Sequence, residues 1–96
     1  MALDTAVGAP ILVTEQNALS TTAEKIVSAA NYTREVLVQN LDSTITVWVG
    51  GAETVTSSNG VRLRAGEAIT FLTTGEIWAI AASGTPTVAI ATEKNQ

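Results

Sequence analysis

Nine carboxylates are spread along the chain as single residues: Asp4, Glu15, Glu24, Glu35, Asp42, Glu53, Glu67, Glu76 and Glu93. Two of them facing each other across a cleft would make a glycosidase-type acid/base pair. Most stand at expected turns or strand ends, where solvation accounts for them. They do not match a calcium loop, which needs oxygen ligands at alternate positions. The chain has no histidine and no cysteine. That removes the commonest general base, the commonest nitrogen ligand for transition metals, any thiolate site and any disulfide. Six serines without a histidine cannot build a Ser-His-Asp arrangement. A Ser–Lys pair needs a lysine with a depressed pKa, and Lys25 and Lys94 lie in ordinary polar settings. Gly50-Gly51 and Gly75 are isolated, so no glycine-rich loop opens onto a helix to cradle phosphate. Asn31-Tyr32-Thr33 fits the glycosylation pattern, but no secretory leader accompanies it. No catalytic, cofactor-binding or metal-binding residue is named, and the chain is expected to act by binding or assembling.

Trp48 and Trp78 are the residues open to two readings. An exposed tryptophan is a platform for a sugar ring, and Trp48 falls on the threonine-lined face of its strand. The preferred expectation is that one tryptophan fills the core and the other packs at a subunit contact, where aromatics are enriched. Tyr32 beside Arg34 reads as a surface stacking pair.

The elements that must position these residues are strands. Val, Ile and Thr supply 32 of the 96 residues, and β-branched side chains suit a pleated surface better than a helix. Thr22–Ala30 is the best helical candidate and still reads better as strand. Turn signals recur every 8–12 residues or so, at Asn31, 40–43, 50–51, 57–60, 65–66, 74–75 and 83–84, the spacing of a small sandwich or barrel. Between them lie strand candidates at 11–14, 18–21, 25–29, 35–40, 44–49, 60–63, 68–72, 76–81 and 87–92. Ile45, Val47 and Val49 share one face, opposite Thr44, Thr46 and Trp48. In Ile77-Trp78-Ala79-Ile80 either alternate pair could face the core. The link 40–43 reads as a hairpin, Asn59-Gly60 as a turn using positive φ, and 64–67 as a polar reversal. Residues 1–10, closed by Pro10, form an N-terminal arm that could lie on a neighbour. Residues 11–96 form one domain ending in a solvated tail, 93–96.

Ninety-six residues suit a single core of modest stability. A net charge of −4 with five basic residues argues against nucleic acid, which calls for a basic cluster. Arg62 and Arg64 are the one close basic pair. No run approaches the roughly 20 apolar residues of a membrane helix, and the start has no basic n-region, so folding in a cytoplasm is expected. Charged residues are only 15% of the chain against 46% apolar, where soluble domains carry about 25% charged. The surface is therefore expected to be covered in part by copies of itself or by a partner.

From Asn31 onward a distinctive order of strands and turns runs through the chain. Asn31 and Arg34 precede a strand ending Gln39-Asn40, and Val47-Trp48-Val49-Gly50 follows a short link. Val55-Thr56, the Asn59-Gly60 turn and Leu63-Arg64-Ala65-Gly66-Glu67 come next, then 76–80 and 88–90. This order, over about three-quarters of the chain, resembles small virion proteins of tailed bacteriophages. The resemblance implies an all-β fold, a small antiparallel β-sandwich, jelly-roll-like, of about eight strands. It implies a non-enzymatic structural role in the virion as decoration, head-joining or tail component. The brevity of the chain favours a separate small protein in many copies.

The expectation is a capsid decoration (cement) protein, made in the host cytoplasm and bound as a homotrimer to the outer surface of the assembled head. Its partners would be itself and the major capsid protein, with no nucleic acid, membrane or cofactor. Candidate contact residues are Leu3, Val7, Pro10, Ile11, Val13 and Trp48, with the edge near 11–14 extending a neighbouring sheet. A head–tail joining or tail component is one alternative, and a carbohydrate-binding receptor-recognition module acting through Trp48 or Trp78 is the other.

Overall fold

A computed structural model describes residues 10–95. Its strands are β1 (Pro10–Ala18), β2 (Glu24–Val27), β3 (Arg34–Asn40), β4 (Val47–Gly50), β5 (Val61–Leu63), β6 (Ala68–Thr73), β7 (Ile77–Ala81) and β8 (Thr87–Asn95). They form two antiparallel sheets in the orders β1-β8-β3-β6 and β2-β7-β4-β5. The first, the long sheet, has strands of 9, 9, 7 and 6 residues, and the second, the short sheet, has strands of 4, 5, 4 and 3.

The pairings nest: β1 with β8, β2 with β7, β3 with β6, β4 with β5. Successive nested pairs belong to opposite sheets, and β3–β8 and β4–β7 pairings join them within each sheet. The chain is thus one long hairpin, folded at β4–β5 and rolled over itself, which is a jelly roll.

Alternation builds the core. From the long sheet Val36, Val38, Val88 and Ile90 point inward, and from the short sheet Ile26, Val47, Val49, Leu63, Ile77, Ala79 and Ala81 meet them. Burying branched aliphatic side chains contributes about 1.5–3 kcal/mol each relative to leaving them in water. Ile77 and Ala79 take the inward positions, which settles the ambiguous strand and turns Trp78 and Ile80 outward.

Several local expectations are corrected. The 11–14 and 18–21 candidates are not two strands. β1 runs unbroken to Ala18 because β8 pairs with all nine of its residues, and Leu19 then turns away with its N–H on the Pro86 carbonyl at 2.8 Å. The solvated tail is strand as far as Asn95, which pairs with Pro10. Pro10 accordingly belongs to the domain, while residues 1–9 lie outside the described residues.

The link 40–43 is no hairpin, since β3 and β4 lie in different sheets. It is a corner held by a buried side chain. Asn40 is fully buried and donates through Nδ2 to the carbonyls of Ile45 (2.8 Å) and Leu63 (3.0 Å). Its Oδ1 accepts from the Asp42 N–H at 3.0 Å. Asp42 continues the turn by accepting from the N–H groups of Thr44 and Ile45 at 2.9 and 2.7 Å.

At Asn59-Gly60 the turn exists, but Gly60 does not use positive φ; Gly66, at φ 80°, does. Gly60 is there for room. A Cβ would stand 2.8 Å from Trp48 Cβ, 2.9 Å from Val55 Cγ2 and 3.0 Å from the Thr56 carbonyl. Asn59 closes the turn with its side chain, accepting from Thr56 N–H (2.7 Å) and donating to the Thr54 carbonyl (3.1 Å).

Candidate assembly surfaces

Among the described residues no three His, Cys, Asp or Glu side chains gather where a metal ion could be held. No buried side-chain nitrogen or oxygen there lacks a hydrogen-bond partner. The polar groups that are buried serve the fold. Arg34 is 3% exposed, which overturns the surface stacking pair with Tyr32. Its guanidinium donates to the carbonyls of Thr73 (2.6 Å), Gly75 (3.2 Å) and Ser28 (2.6 Å), tying the β2–β3 link to the β6–β7 turn. The planar fork reaches several acceptors at once, which a lysine ammonium on its flexible stem does less well. The sequence held a signal for this role, since period-two alternation sets Arg34 on the same face as Val36 and Val38, but its charge and its place before the expected strand 35–40 read as surface.

The outer faces of the two sheets carry different chemistry. On the long sheet, register aligns Thr14, Ala91, Leu37 and Thr70 in one row and Gln16, Ala89, Gln39 and Ala68 in the next. Neither row has a charge. Toward one end Leu12 pairs with Glu93 and Leu72 with Glu35. Four of the large apolar side chains left exposed belong to this sheet: Leu12 (68%), Val13 (42%), Leu37 (37%) and Leu72 (75%).

The short sheet places both tryptophans outward. Trp48 stands between Ile80 and Arg62, and Trp78 between Lys25 and Gly50. Neither ring is in the core; Val47, Val49, Ile77 and Ala79 hold those positions because strand alternation leaves room for one set only. Both rings are half-buried. Trp78 Nε1 donates to Glu76 Oε1 at 2.9 Å, and Lys25 Nζ lies 3.7 Å from Glu76 Oε2. Beside Trp48, an open cavity of about 350 Å³ is lined by Thr21, Thr56, Ser57 and Ile80.

The sequence-derived contact residues do not form one site. Leu3 and Val7 lie outside the described residues. Pro10 and Ile11 enter β1 by pairing with Asn95 and Lys94. Val13 lines a groove of about 440 Å³ with Glu15, Lys25, Tyr32 and Arg34, where the sandwich opens between β1 and β2. Trp48 lies on the other sheet. Leu37 and Leu72 were missed, because a leucine alternating with valines or threonines carries no mark of which face is buried.

No family model matches the chain, and no curated protein does. Among solved structures it is similar to a chain of a Bacillus endospore appendage, described as one of a family of disulfide-linked pili. The identity is 13% and the TM-score 0.54, over 99% of this chain and 96% of that one. The likeness is one of fold.

Proposed function

We propose that this protein is a non-enzymatic structural subunit of a phage virion, a capsid decoration protein that binds the outside of the assembled head as a symmetric oligomer. The observation that carries the reading is the outer face of the long sheet. Its central rows are uncharged, alanines, threonines and glutamines around Leu37, with leucines exposed at both margins. Such a face suits a broad protein contact. The resemblance of residues 31–90 to small phage virion proteins supports the particular setting. A subunit that binds only the assembled lattice stabilises it by mass action, and several sites per oligomer add avidity. The appendage chain of similar fold belongs to a disulfide-linked assembly; with no cysteine, this chain must associate without such bonds.

The test is to add purified protein to expanded capsids that lack it, and to follow occupancy by cryo-electron microscopy and shell stability by heating. Density on the outer lattice and a raised disruption temperature are expected. Intact capsids that stay bare would remove the reading.

A second reading has one observation in its favour: both tryptophans face outward on the short sheet, one beside a hydroxyl-lined cavity. This is the carbohydrate-binding alternative. Trp48→Ala and Trp78→Ala separate the two, because a glycan binder loses glycan retention with its fold intact, whereas a tryptophan at a subunit contact loses assembly.

A further inference from the structure

The two edges of the long sheet fit each other. Among the described residues β1 and β6 each have one side without a strand partner. Proteins normally blunt such edges with charges, proline, bulges or brevity. The short sheet does so: β5 has three residues with Arg62 in the middle, and β2 has four residues, Glu24 and Lys25 among them, with a register shift before Val27. The long sheet does not. β6 (AITFLT) has no charge, no proline and an unbroken register. β1 is nine residues long, with Pro10 at its first position and Glu15 as its one charge.

Strand direction alternates across β1-β8-β3-β6, so β6 runs opposite to β1. A second copy displaced along the sheet therefore offers its β1 to β6 in antiparallel orientation. We infer that this protein associates with copies of itself head to tail, β6 of one copy pairing antiparallel with β1 of the next to continue the long sheet.

Register makes the fit specific. Val13, Thr92, Val36 and Phe71 form one continuous row, and Thr14, Ala91, Leu37 and Thr70 the next. Continuing those rows across the junction sets Phe71 beside Val13 and Thr70 beside Thr14 of the next copy. One step further, Leu72 meets Leu12, the two most exposed large apolar side chains. Aromatic–β-branched and Thr–Thr cross-strand pairs are among the stabilising kinds. Glu15 opposite Ile69 is the discordant row. The flanks also suit each other, since the groove beside β1 and a shallower cavity of about 310 Å³ between β5 and β6 would both be covered. A two-fold β1–β1 contact would leave β6 bare.

Head-to-tail contacts close into rings or run on as filaments, depending on the rotation between copies. The inference stands on the edges alone and does not require a capsid.

Two single variants test it. Leu72→Lys spoils the β6 edge and leaves β1 intact; Leu12→Lys does the reverse. Both positions are well exposed, and circular dichroism with a melting curve verifies the fold. By light scattering and native mass spectrometry the wild type is expected at two or more times the 9.9 kDa monomer mass, and each variant as monomer. Mixed together, the variants are expected to form a 1:1 dimer that grows no further, joined through the one good β6 and the one good β1. A monomeric wild type, a Leu72→Lys homodimer, or variants that stay apart on mixing would each overturn the inference.

Discussion

Across the middle of the long sheet the outward residues read Thr14, Ala91, Leu37, Thr70; across the short sheet they read Ile80, Trp48, Arg62. Inward, the two sheets are nearly interchangeable, valines and isoleucines meeting at the same core. Stability is therefore shared, while recognition is divided. The long sheet has broad uncharged rows and unblunted edges, suited to continuation by another strand. The short sheet has bulged or brief edges and two half-buried tryptophans, suited to ending the structure and meeting a partner face on. Edge chemistry, more than overall hydrophobicity, tells the two apart.

The division depends on the corner that carries β3 into β4, and breaking that corner has the largest expected effect. Asn40→Ala removes the side-chain partner of the Ile45 and Leu63 carbonyls and of the Asp42 N–H. A loss of about 2–3 kcal/mol is expected, a fall of roughly 10–20 °C in melting temperature. A melting curve matching the wild type would show that the corner does not need its side chain.

Gly60→Ala tests the short sheet by itself. The new Cβ meets Trp48, Val55 and the Thr56 carbonyl at 2.8–3.0 Å, and overpacking of this kind costs about 1–3 kcal/mol. Denaturant unfolding measures it, and Val55→Ala should cost less in the Gly60→Ala background than in the wild type, because it removes the Cγ2 that the new Cβ meets.

Contrasting the edges sharpens the comparison directly. Val61 on β5 is exposed to about the same degree as Val13 on β1, 43% against 42%. Lysine at Val61 is expected to leave self-association unchanged. Lysine at Leu72 should weaken it at least tenfold, about 1.4 kcal/mol. Glu15→Val should tighten it by replacing the discordant row. Sedimentation of the three variants reads all of this, and equal effects at Val61 and Leu72 would erase the distinction between the sheets.

The smallest effect lies at Asp42. The N–H groups of Ile45 and then Thr44 hold its carboxyl below the usual value of 3.8. A group with a depressed pKa in the folded state contributes stability that is present above its unfolded pKa and lost as pH falls through the folded one. The difference in melting temperature between wild type and Asp42→Ala should thus be seen at pH 7 and shrink below about pH 4. A difference that does not change with pH would assign the role of Asp42 to geometry instead of charge.

Much of the fold was legible because period-two alternation is a local property. Val36 and Val38, Val47 and Val49, Val88 and Ile90 each mark one shared face of a strand, and the turn residues between strands mark the breaks. The errors fell where the answer depends on a distant partner. The sequence 40–43 looks the same whether the chain reverses within a sheet or crosses between sheets; the carbonyls of Ile45 and Leu63 that receive Asn40 decide it. Residues 15–17 read as a break between two strand candidates until β8 lay alongside. Arg34 looked like a surface cation until the carbonyls of Ser28, Thr73 and Gly75 surrounded it.

By itself, the sequence determined the strand class, the positions of most turns and the scarcity of charge, because each follows from the side chains present and their spacing. Only the tertiary structure decided which strands pair, that both tryptophans face outward, and that Leu12, Leu37 and Leu72 share one face of a sheet with complementary edges. Those outcomes depend on contacts between residues far apart in the chain. One buried core has to be closed by strands from both sheets together, and the strands' outer faces and edges are what that closure leaves over.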